Sequence, residues 1–418
     1  MLEVKKEIEV TIIDLDYKGD GIAIVDDIYV YIKGALKDEL VRALVLKVKE
    51  KFAIAKLIKV IKPSKDRLKD SVLLGSLNMS HLSFDMQLKW QSDITLKSFN
   101  KAFNKDFEIA PIITDNNNSS YRNKVTFHIM NNKILTLGLY DYNETRLVKT
   151  DRLDIANDNA NILVKKLNDA KITVDFNILK HLMIKNNSEN KLLVTLVSTR
   201  RSFIGLHEIL DLLDLDKNVL GVTLNIKDDV NKILGNKTYT LRGQDFLNEN
   251  NLIMTTKSFM QVNFKVQDLV FEEIRKHILG KSIIDAYSGI GSISYNVLDN
   301  NKKLTLIDNN PENIKLAKEI FKDKEVNLLL GNAEDLIDEL TCDTLLVDPP
   351  RQGLDKKFVN SLLNKKIKRI IYMSCNLQSL IRDTKLLANK YEIKEITPIK
   401  MFPETNSFET LVILDLIN

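Results

Sequence analysis

The sequence predicts a multi-domain α/β protein: an N-terminal β-barrel, a central α+β domain and a C-terminal parallel sheet covered by helices. Three observations predict it. Residues 1–62 are short alternating runs broken by Gly and Asp turns, the pattern of a small barrel. Residues 63–250 mix one helical-period segment with strand-like runs. From 251 to 418 apolar runs alternate with helix-length segments, which requires a parallel sheet with helices on both faces.

Composition narrows the class. The chain has 418 residues, 44% hydrophobic and 28% charged, enough for several ordinary cores. Two cysteines cannot build a disulfide framework, so a reduced, cytoplasmic protein is expected. No apolar run approaches the roughly 18 residues of a membrane helix, and the first residues, MLEVKKEIEV, carry acids where a signal peptide needs an apolar stretch. The net charge is only +4, but its distribution is uneven. Between positions 41 and 69, Arg42, Lys47, Lys49, Lys51, Lys56, Lys59, Lys62, Lys65, Arg67 and Lys69 stand against Glu50 and Asp66. Such a stripe either holds phosphates or is a solvated face of a lysine-rich chain.

Taken in order, EIEVTIIDLD alternates, YKGDGIAIVDD carries Gly19 and Gly21 around an acidic turn, IYVYIKGAL alternates again, and DELVRALVLKVKEKFAIAKLIKVI supplies two further strands before Pro63. LSFDMQLKWQSDITLKSFNKAF has helical periodicity. YRNKVTFHIM, ILTLGLYDY, KLLVTLVSTR, GVTLNIKDDV and KTYTLRGQDFL read as strands of an antiparallel sheet. QDLVFEEIRKHIL is a helix, and KSIIDAY, KLTLID, VNLLLG, TLLVDPP, KRIIYMSC and ETLVILDLI are the strands that follow. TPIKMFPETNSFE joins the last two as a hairpin-type connection, giving an antiparallel edge pair. Asp285, Asp308, Asp348 and Cys375 all fall at carboxyl ends of strands, where sheets of this kind bind ligands.

The chemistry gathers there. In IIDAYSGIGSIS, Gly289 and Gly291 let the backbone approach a ligand, but the third glycine of a dinucleotide fingerprint is missing. Asp308 ends the next strand, 17 residues after Gly291 (308 − 291), where a carboxylate accepts both hydroxyls of an adenosine ribose. The missing glycine favours the methyl donor S-adenosylmethionine over NAD. The plainer reading makes Asp308 the cap of the helix that follows, a task Asn309 or Asn310 also suits. Asn332 or Glu334, in GNAED, either reads the adenine edge or caps a helix.

DPPRQGL follows Asp348 with two prolines, a stiff turn that orients a planar base. Amine methyltransferases use a related motif ending in an aromatic residue; Arg351 stands there instead, which demotes that chemistry. Cys375 then fits one scheme. Carbon 5 of uracil is a poor nucleophile until a thiolate adds to carbon 6, and a base must afterwards take the carbon-5 proton. Cys375 is the candidate nucleophile, its plainer alternative being a small buried hydrophobe. Cys342, at the opposite end of its strand, reads as structural. Glu409 is a candidate base, or a solvated or ion-paired carboxylate.

These motifs resemble the S-adenosylmethionine-dependent RNA 5-methyluridine methyltransferases, in the branch with an N-terminal TRAM domain typified by enzymes of 23S ribosomal RNA. GDGIAIVDDIYVYIKGALKDELV resembles the TRAM barrel, an OB-like RNA-binding module. YRNKVTFHI, SFMQVN, DAYSGIGSIS, DPPRQGL, YMSCNLQSLIRD and MFPETNSFETLVIL resemble the family's further motifs, so the likeness spans the chain. It implies a class I, Rossmann-like methyltransferase domain over 251–418, a TRAM barrel over 1–62 and an RNA-contacting α+β domain over 63–250. It implies Gln261, Tyr287, Gly289, Asp308 and Asp348 around S-adenosylmethionine, Cys375 as nucleophile, Glu409 as base and no metal site. Many members hold a four-iron cluster just after the TRAM domain, but DRLKDSVLLGSLNMSHLSF has no cysteine, so no iron–sulfur cluster is expected and packing must hold that stretch. Leu377 replaces the usual proline after SCN, and Glu404 replaces a histidine of the FPHT-like motif. The expectation is a monomeric enzyme, away from membranes, that methylates carbon 5 of a uridine in structured RNA, ribosomal RNA first. The competing expectations are a transfer-RNA uracil-5-methyltransferase, an amine-directed nucleic-acid methyltransferase, and a non-catalytic RNA-binding factor.

Overall fold

The computed structural model describes residues 2–69, 74–299 and 301–417; Met1, residues 70–73, Asn300 and Asn418, which fall within the three expected ranges, lie outside the described residues. Compactness divides the chain into two units. The first is Met1–Phe107 with Tyr140–Arg146 and Phe402–Ser407; the second is Glu108–Leu139 with Leu147–Met401 and Phe408–Asn418. These units do not follow the boundaries at 62 and 250; the three ranges stand as our proposal for the chain's modules.

The first unit holds β1 (Glu7–Thr11), β2 (Asp14–Leu15), β3 (Gly21–Val25), β4 (Ile28–Lys33), β5 (Leu40–Val48), β6 (Phe52–Lys62) and α1 (Phe84–Phe103). The strands form one sheet in the order β1-β5-β6-β4-β3-β2. All neighbouring pairs run antiparallel except β4 and β6, which are parallel. The alternation read in the sequence is the reason it closes on a core. Ala23, Val30, Ile32, Val41, Ala43 and Val45 all point inward and are fully buried. Truncating Ile32 to alanine there would cost about 2–5 kcal/mol.

Helix α1 buries Gln87, Trp90, Gln91, Ile94, Thr95 and Phe99, a stripe at helical spacing, and ends at Asn104 in the left-handed region. Trp90 Nε1 donates to the Asp16 carbonyl at 3.0 Å, which ties the helix to the barrel rather than to the central segment it follows in sequence. In the stretch without cysteines, Leu74, Leu77, Met79, His81 and Leu82 are buried.

The second unit contains two large sheets. Its elements in order are β7 (Lys124–Ile129), β8 (Leu137–Tyr140), β9 (Leu147–Lys149), α2 (Asp158–Asp169), β10 (Leu179–Asn186), β11 (Leu192–Ser198), α3 (Leu206–Asp214), β12 (Val219–Ile226) and β13 (Lys237–Gly243). The hairpin β14 (Phe246–Glu249) and β15 (Leu252–Thr255) follows, then α4 (Phe264–His277), β16 (Ser282–Ala286), α5 (Ser292–Val297), β17 (Lys303–Asp308), α6 (Pro311–Ile320), β18 (Val326–Leu330) and α7 (Ala333–Leu336). The chain ends with β19 (Thr344–Val347), α8 (Lys356–Asn364), β20 (Arg369–Ser374), α9 (Leu377–Leu387), β21 (Tyr391–Ile399) and β22 (Glu409–Leu416).

The central sheet runs β13-β12-β11-β10-β7-β8-β9 and is mixed, which corrects the all-antiparallel expectation. β11 and β12 are parallel because α3, unread in the sequence, carries the chain back between them. β10, also unread, is buried along nearly its whole length despite its two lysines and asparagine.

The last sheet runs β18-β17-β16-β19-β20-β22-β21. Its first five strands are parallel, as expected. β20 and β22 do pair antiparallel, but no hairpin joins them. α9 and β21 intervene, and β21, whose YEIKEITPI alternates charged and apolar residues, is the edge.

Candidate active site

In this order β16 lies between β17 and β19, so successive connections leave it on opposite sides and open a crevice at the carboxyl ends of the strands. A cavity of about 740 Å³ occupies that crevice. It takes Tyr287 and Gly289 from the turn after β16, Asp308 from the end of β17, Asn332 from the turn after β18 and Asp348 from the turn after β19.

The glycine turn explains itself by geometry. Tyr287, Gly289 and Gly291 all have positive φ, 63°, 58° and 80°. A Cβ on Gly291 would meet the Phe321 ring at 2.6 Å and Leu306 Cδ1 at 2.7 Å, so that glycine serves packing as well as conformation. A Cβ on Gly289 would meet nothing within 4 Å and would enter the cavity. Tyr287, a bulky residue in the left-handed region, is held there with its ring edge-on to Phe358. Its hydroxyl is pushed upward by burial and by the carboxylates of Glu334, Asp355 and Asp383.

Asp308 is not the cap of α6. Asn310 fills that position, accepting from the Glu312 amide, with Pro311 behind it. The Asp308 carboxylate instead accepts from the Gly289 amide at 2.9 Å, the Asn310 amide at 2.8 Å and Asn313 Nδ2 at 3.0 Å, which aims it across the cavity from the glycine turn. Asn332 binds Asn309 and Asp335 side chains. Asp285, one strand deeper, is fully buried against the Ser294 hydroxyl at 2.6 Å. Burial, with a small contribution from Asp308, pushes its carboxyl up to about 7.

Charge decides between the two cofactors left open by the sequence. Asp308, Glu334, Asp348, Asp355 and Asp383 line the cavity against Lys356 and Arg382. That excess of carboxylates repels a pyrophosphate and suits a sulfonium cation with a ribose.

Beside the cavity, β20 delivers Cys375 half-buried at its polar end, while Cys342 is buried, as its position suggested. Cys375 is pushed up to about 11 by burial first, then by the charges of Glu409 and Asp348; Arg351 opposes this with its charge and a side-chain hydrogen bond. Glu409 opens β22, is 2% exposed, and is held well above the usual carboxylate range by burial and then by Asp348, with Arg351 again opposing. Burial and Asp285 raise Asp348 as well. Four groups, Asp348, Arg351, Cys375 and Glu409, thus sit within range of one another's charges. Gln261 is buried and reaches Asp348 Oδ2 at 3.4 Å, a long contact, rather than opening onto the cavity itself. Asn123 of the YRNKVTFHI stretch fixes it, donating from Nδ2 to the Gln261 carbonyl at 2.8 Å.

The supporting loops were quoted in the sequence without roles. The Arg351 carbonyl accepts from Asn376 Nδ2 and the Ser379 hydroxyl, and Asn376 caps α9 through the Gln378 and Ser379 amides. Leu377 is the first residue of α9, where proline is favoured because that amide needs no partner and its fixed φ suits the helix; leucine there loses no hydrogen bond, only the pre-set φ. Asp383, fully buried, accepts from the Tyr372 hydroxyl and the Leu354 amide, and Arg382 donates to the Gln352 carbonyl. Phe259 lines the cavity and Arg351 faces the cysteine, and neither had been singled out for that.

Residues 288–417 match the family model described as tRNA (Uracil-5-)-methyltransferase, and residues 2–58 match the TRAM domain. An uncharacterized RNA methyltransferase of Clostridium acetobutylicum is 29% identical, covering 99% of this chain and 98% of its own. One from Staphylococcus epidermidis is 28% identical over 96% of each. The fold is that of the Pyrococcus abyssi tRNA (uracil-54, C5)-methyltransferase solved with S-adenosyl-L-homocysteine, at a TM-score of 0.79 and 20% identity over 97% of this chain and 100% of that one. The full-length relatives are named RNA methyltransferases and the two family models match the two ends of the chain, so the chain is similar to RNA uracil-5-methyltransferases and to TRAM-domain proteins, and its acidic crevice fits that likeness.

Proposed function

We propose that the protein methylates carbon 5 of a uridine in structured RNA through a covalent bond between Cys375 and carbon 6, and that its substrate is 23S ribosomal RNA. The observation that carries the reading is the half-exposed Cys375 thiol, within range of Glu409 and of Asp348, which also lines the donor cavity. In this scheme the ionised fraction of Cys375 reacts: the thiolate sulfur bonds to carbon 6, and the electron pair of the 5,6 double bond moves toward carbon 5 and oxygen 4. Bound S-adenosylmethionine supplies the methyl group that carbon 5 takes up, leaving as the neutral thioether. Glu409 then removes the carbon-5 proton, the 5,6 double bond re-forms, and the carbon–sulfur bond breaks to return the thiolate. Tyr287, Gly289, Asp308 and Asp348 would hold the donor, and Gln261 would act on it through Asp348. A carboxyl raised by burial is suited to this task, because it is a stronger base once ionised.

The target uridine must leave its stack to reach the cysteine, which favours loops. The preference for ribosomal RNA rests on the resemblance to the TRAM-bearing ribosomal branch; the barrel alone does not separate the substrates, because the P. abyssi transfer-RNA enzyme aligns over its whole length with 97% of this chain. A second reading, a transfer-RNA substrate, draws on the name of the P. abyssi enzyme and of the matched family model. We place the enzyme in the cytoplasm as a monomer; no helix among the described residues is long and apolar enough to cross a membrane.

The test offers RNA containing 5-fluorouridine with S-adenosylmethionine. Fluorine cannot leave as a proton, so a denaturation-resistant RNA–protein complex should accumulate and should vanish in Cys375→Ala. Mapping the attached nucleotide separates ribosomal from transfer RNA. Turnover by Cys375→Ala without a complex would instead support an amine-directed enzyme. Binding with no transfer in any RNA would support a non-catalytic factor.

A further inference from the structure

We propose that the outer face of the barrel sheet is a stacking platform for the unpaired bases of a single-stranded RNA segment, with Tyr29, Tyr31 and Phe52 as the stacking rings. The inference rests on RNA being the substrate and states which surface holds the nucleotides outside the target.

Strand alternation builds the face. Along β3, β4 and β6 the inward residues are small or aliphatic and buried: Ala23, Val30, Ile32, Ala53 and Ala55. The outward positions of a small soluble barrel are ordinarily polar, because each is surrounded by water. Here they are not. Pairing register sets Ile24 beside Tyr29 and Tyr29 beside Phe52; the next row sets Ile22 beside Tyr31 and Tyr31 beside Ile54. Ile24 is 49% exposed, Tyr29 50%, Phe52 37% and Ile54 40%. The Tyr31 and Phe52 rings meet edge to face, centroids 6.2 Å apart. Large apolar side chains contiguous over three neighbouring strands mark a contact surface rather than scattered exposure.

The border of this patch identifies the partner. Lys47 stands opposite Ile54 across the β5–β6 pair, and Lys33 stands opposite Lys56 in the next row. Lys49 and Lys51 lie in the turn that leads to Phe52, closed by the Lys49 amide on the Phe52 carbonyl. A partner must therefore offer flat apolar faces and negative charge together. Unpaired nucleotides do so: rings receive bases in any sequence, and the lysines neutralise phosphates. A duplex hides its base faces and would use the lysines alone. A second copy of the chain would set lysines against lysines.

The experiment uses full-length protein without methyl donor. Fluorescence anisotropy would follow an unpaired oligouridine and a duplex of equal length over a range of salt. Tyr29→Ala with Phe52→Ala should weaken oligouridine binding by about 5-fold to 100-fold per ring removed and leave duplex binding and the salt slope unchanged. Lys47→Gln with Lys56→Gln should weaken both RNAs and flatten the salt slope, by about 1.4 for the single strand. The inference is overturned if the aromatic variant binds oligouridine like wild type, if it loses both RNAs equally, or if wild type self-associates through this face and the variant does not. Because the assay needs neither Cys375 nor the donor, a failed fluorouridine trap alongside the expected binding loss would remove the methylation reading and leave this one standing.

Discussion

Removing Arg351 should make Cys375 a poorer nucleophile, and the charges around the thiol set the size of the effect. Burial, Glu409 and Asp348 raise this thiol to about 11, and Arg351 is the one named neighbour that lowers it. At pH 8 a thiol at about 11 is ionised to roughly one part in a thousand (11 − 8 = 3 decades). Alkylation follows the thiolate, so wild type should react slowly with iodoacetamide and its rate should climb about tenfold per pH unit below the pKa. Arg351 is exposed, so solvent screens its charge and the loss falls at the weak end of charge-assisted hydrogen bonds. Arg351→Met should slow labelling about tenfold and move the pH midpoint up by about one unit. Glu409→Gln should act in the opposite sense, speeding labelling at pH values where Glu409 is ionised. Peptide mass spectrometry separates the two cysteines, and Cys342, buried and pushed up to about 12, serves as the slow internal reference. Labelling of Arg351→Met at the wild-type rate across the whole pH range would refute the electrostatic account of the site.

Gly289→Ala and Gly291→Ala should differ in degree: both strain a turn with positive φ and cost about 1 kcal/mol each for that, but the second Cβ also strikes Phe321 and Leu306 and should lower the melting temperature further, while the first raises KM for S-adenosylmethionine. Similar melting curves for both would contradict this. Asp308→Asn keeps one oxygen for the Asn310 amide and Asn313 Nδ2 but sets its Nδ2 donor against the Gly289 amide and weakens the proposed ribose contact, so calorimetry should show weaker binding of S-adenosylhomocysteine by about tenfold, with a lowered melting temperature from the lost Gly289 bond. Asp285 has a folded pKa near 7, above its unfolded value, so the folded state keeps a proton that the unfolded chain releases; stability falls as pH rises from about 4 to about 7, by up to about 4 kcal/mol. Asp285→Asn removes that dependence, and urea midpoints of wild type and variant should diverge between pH 5 and pH 8. Parallel midpoints would mean the carboxyl is already ionised in the fold.

Much of the site was legible because its residues sit in short stretches whose local geometry is settled locally. The glycine turn, the double proline after Asp348 and the cysteine at the polar end of an apolar run each lie at a strand end, and strand ends can be read from where hydrophobic runs stop. Asp308 does end β17, but its alternative as a cap was excluded only by the position of Asn310. What escaped was whatever depended on partners remote in sequence. Arg351 gained its meaning from Cys375, and Gln261 from Asn123 and Asp348. β10 escaped because its polar residues find partners inside the fold: Lys185 donates to the Thr255 and Ser258 carbonyls, which removes the reason a lysine should stay in water.

By itself, the order of residues determined the alternation of strands and helices in the C-terminal sheet, the turn chemistry at its strand ends and the candidates for the reactive groups, because these follow from periodicity and backbone preference over a few neighbouring positions. Only the tertiary structure decided that β11 and β12 run parallel, that β21 rather than β22 is the edge, that α1 joins the barrel, and that two carboxylates, a guanidinium and a thiol from three separate segments share one field. Strand order, burial and charge proximity are set by packing between segments tens of residues or more apart, and no local pattern encodes them.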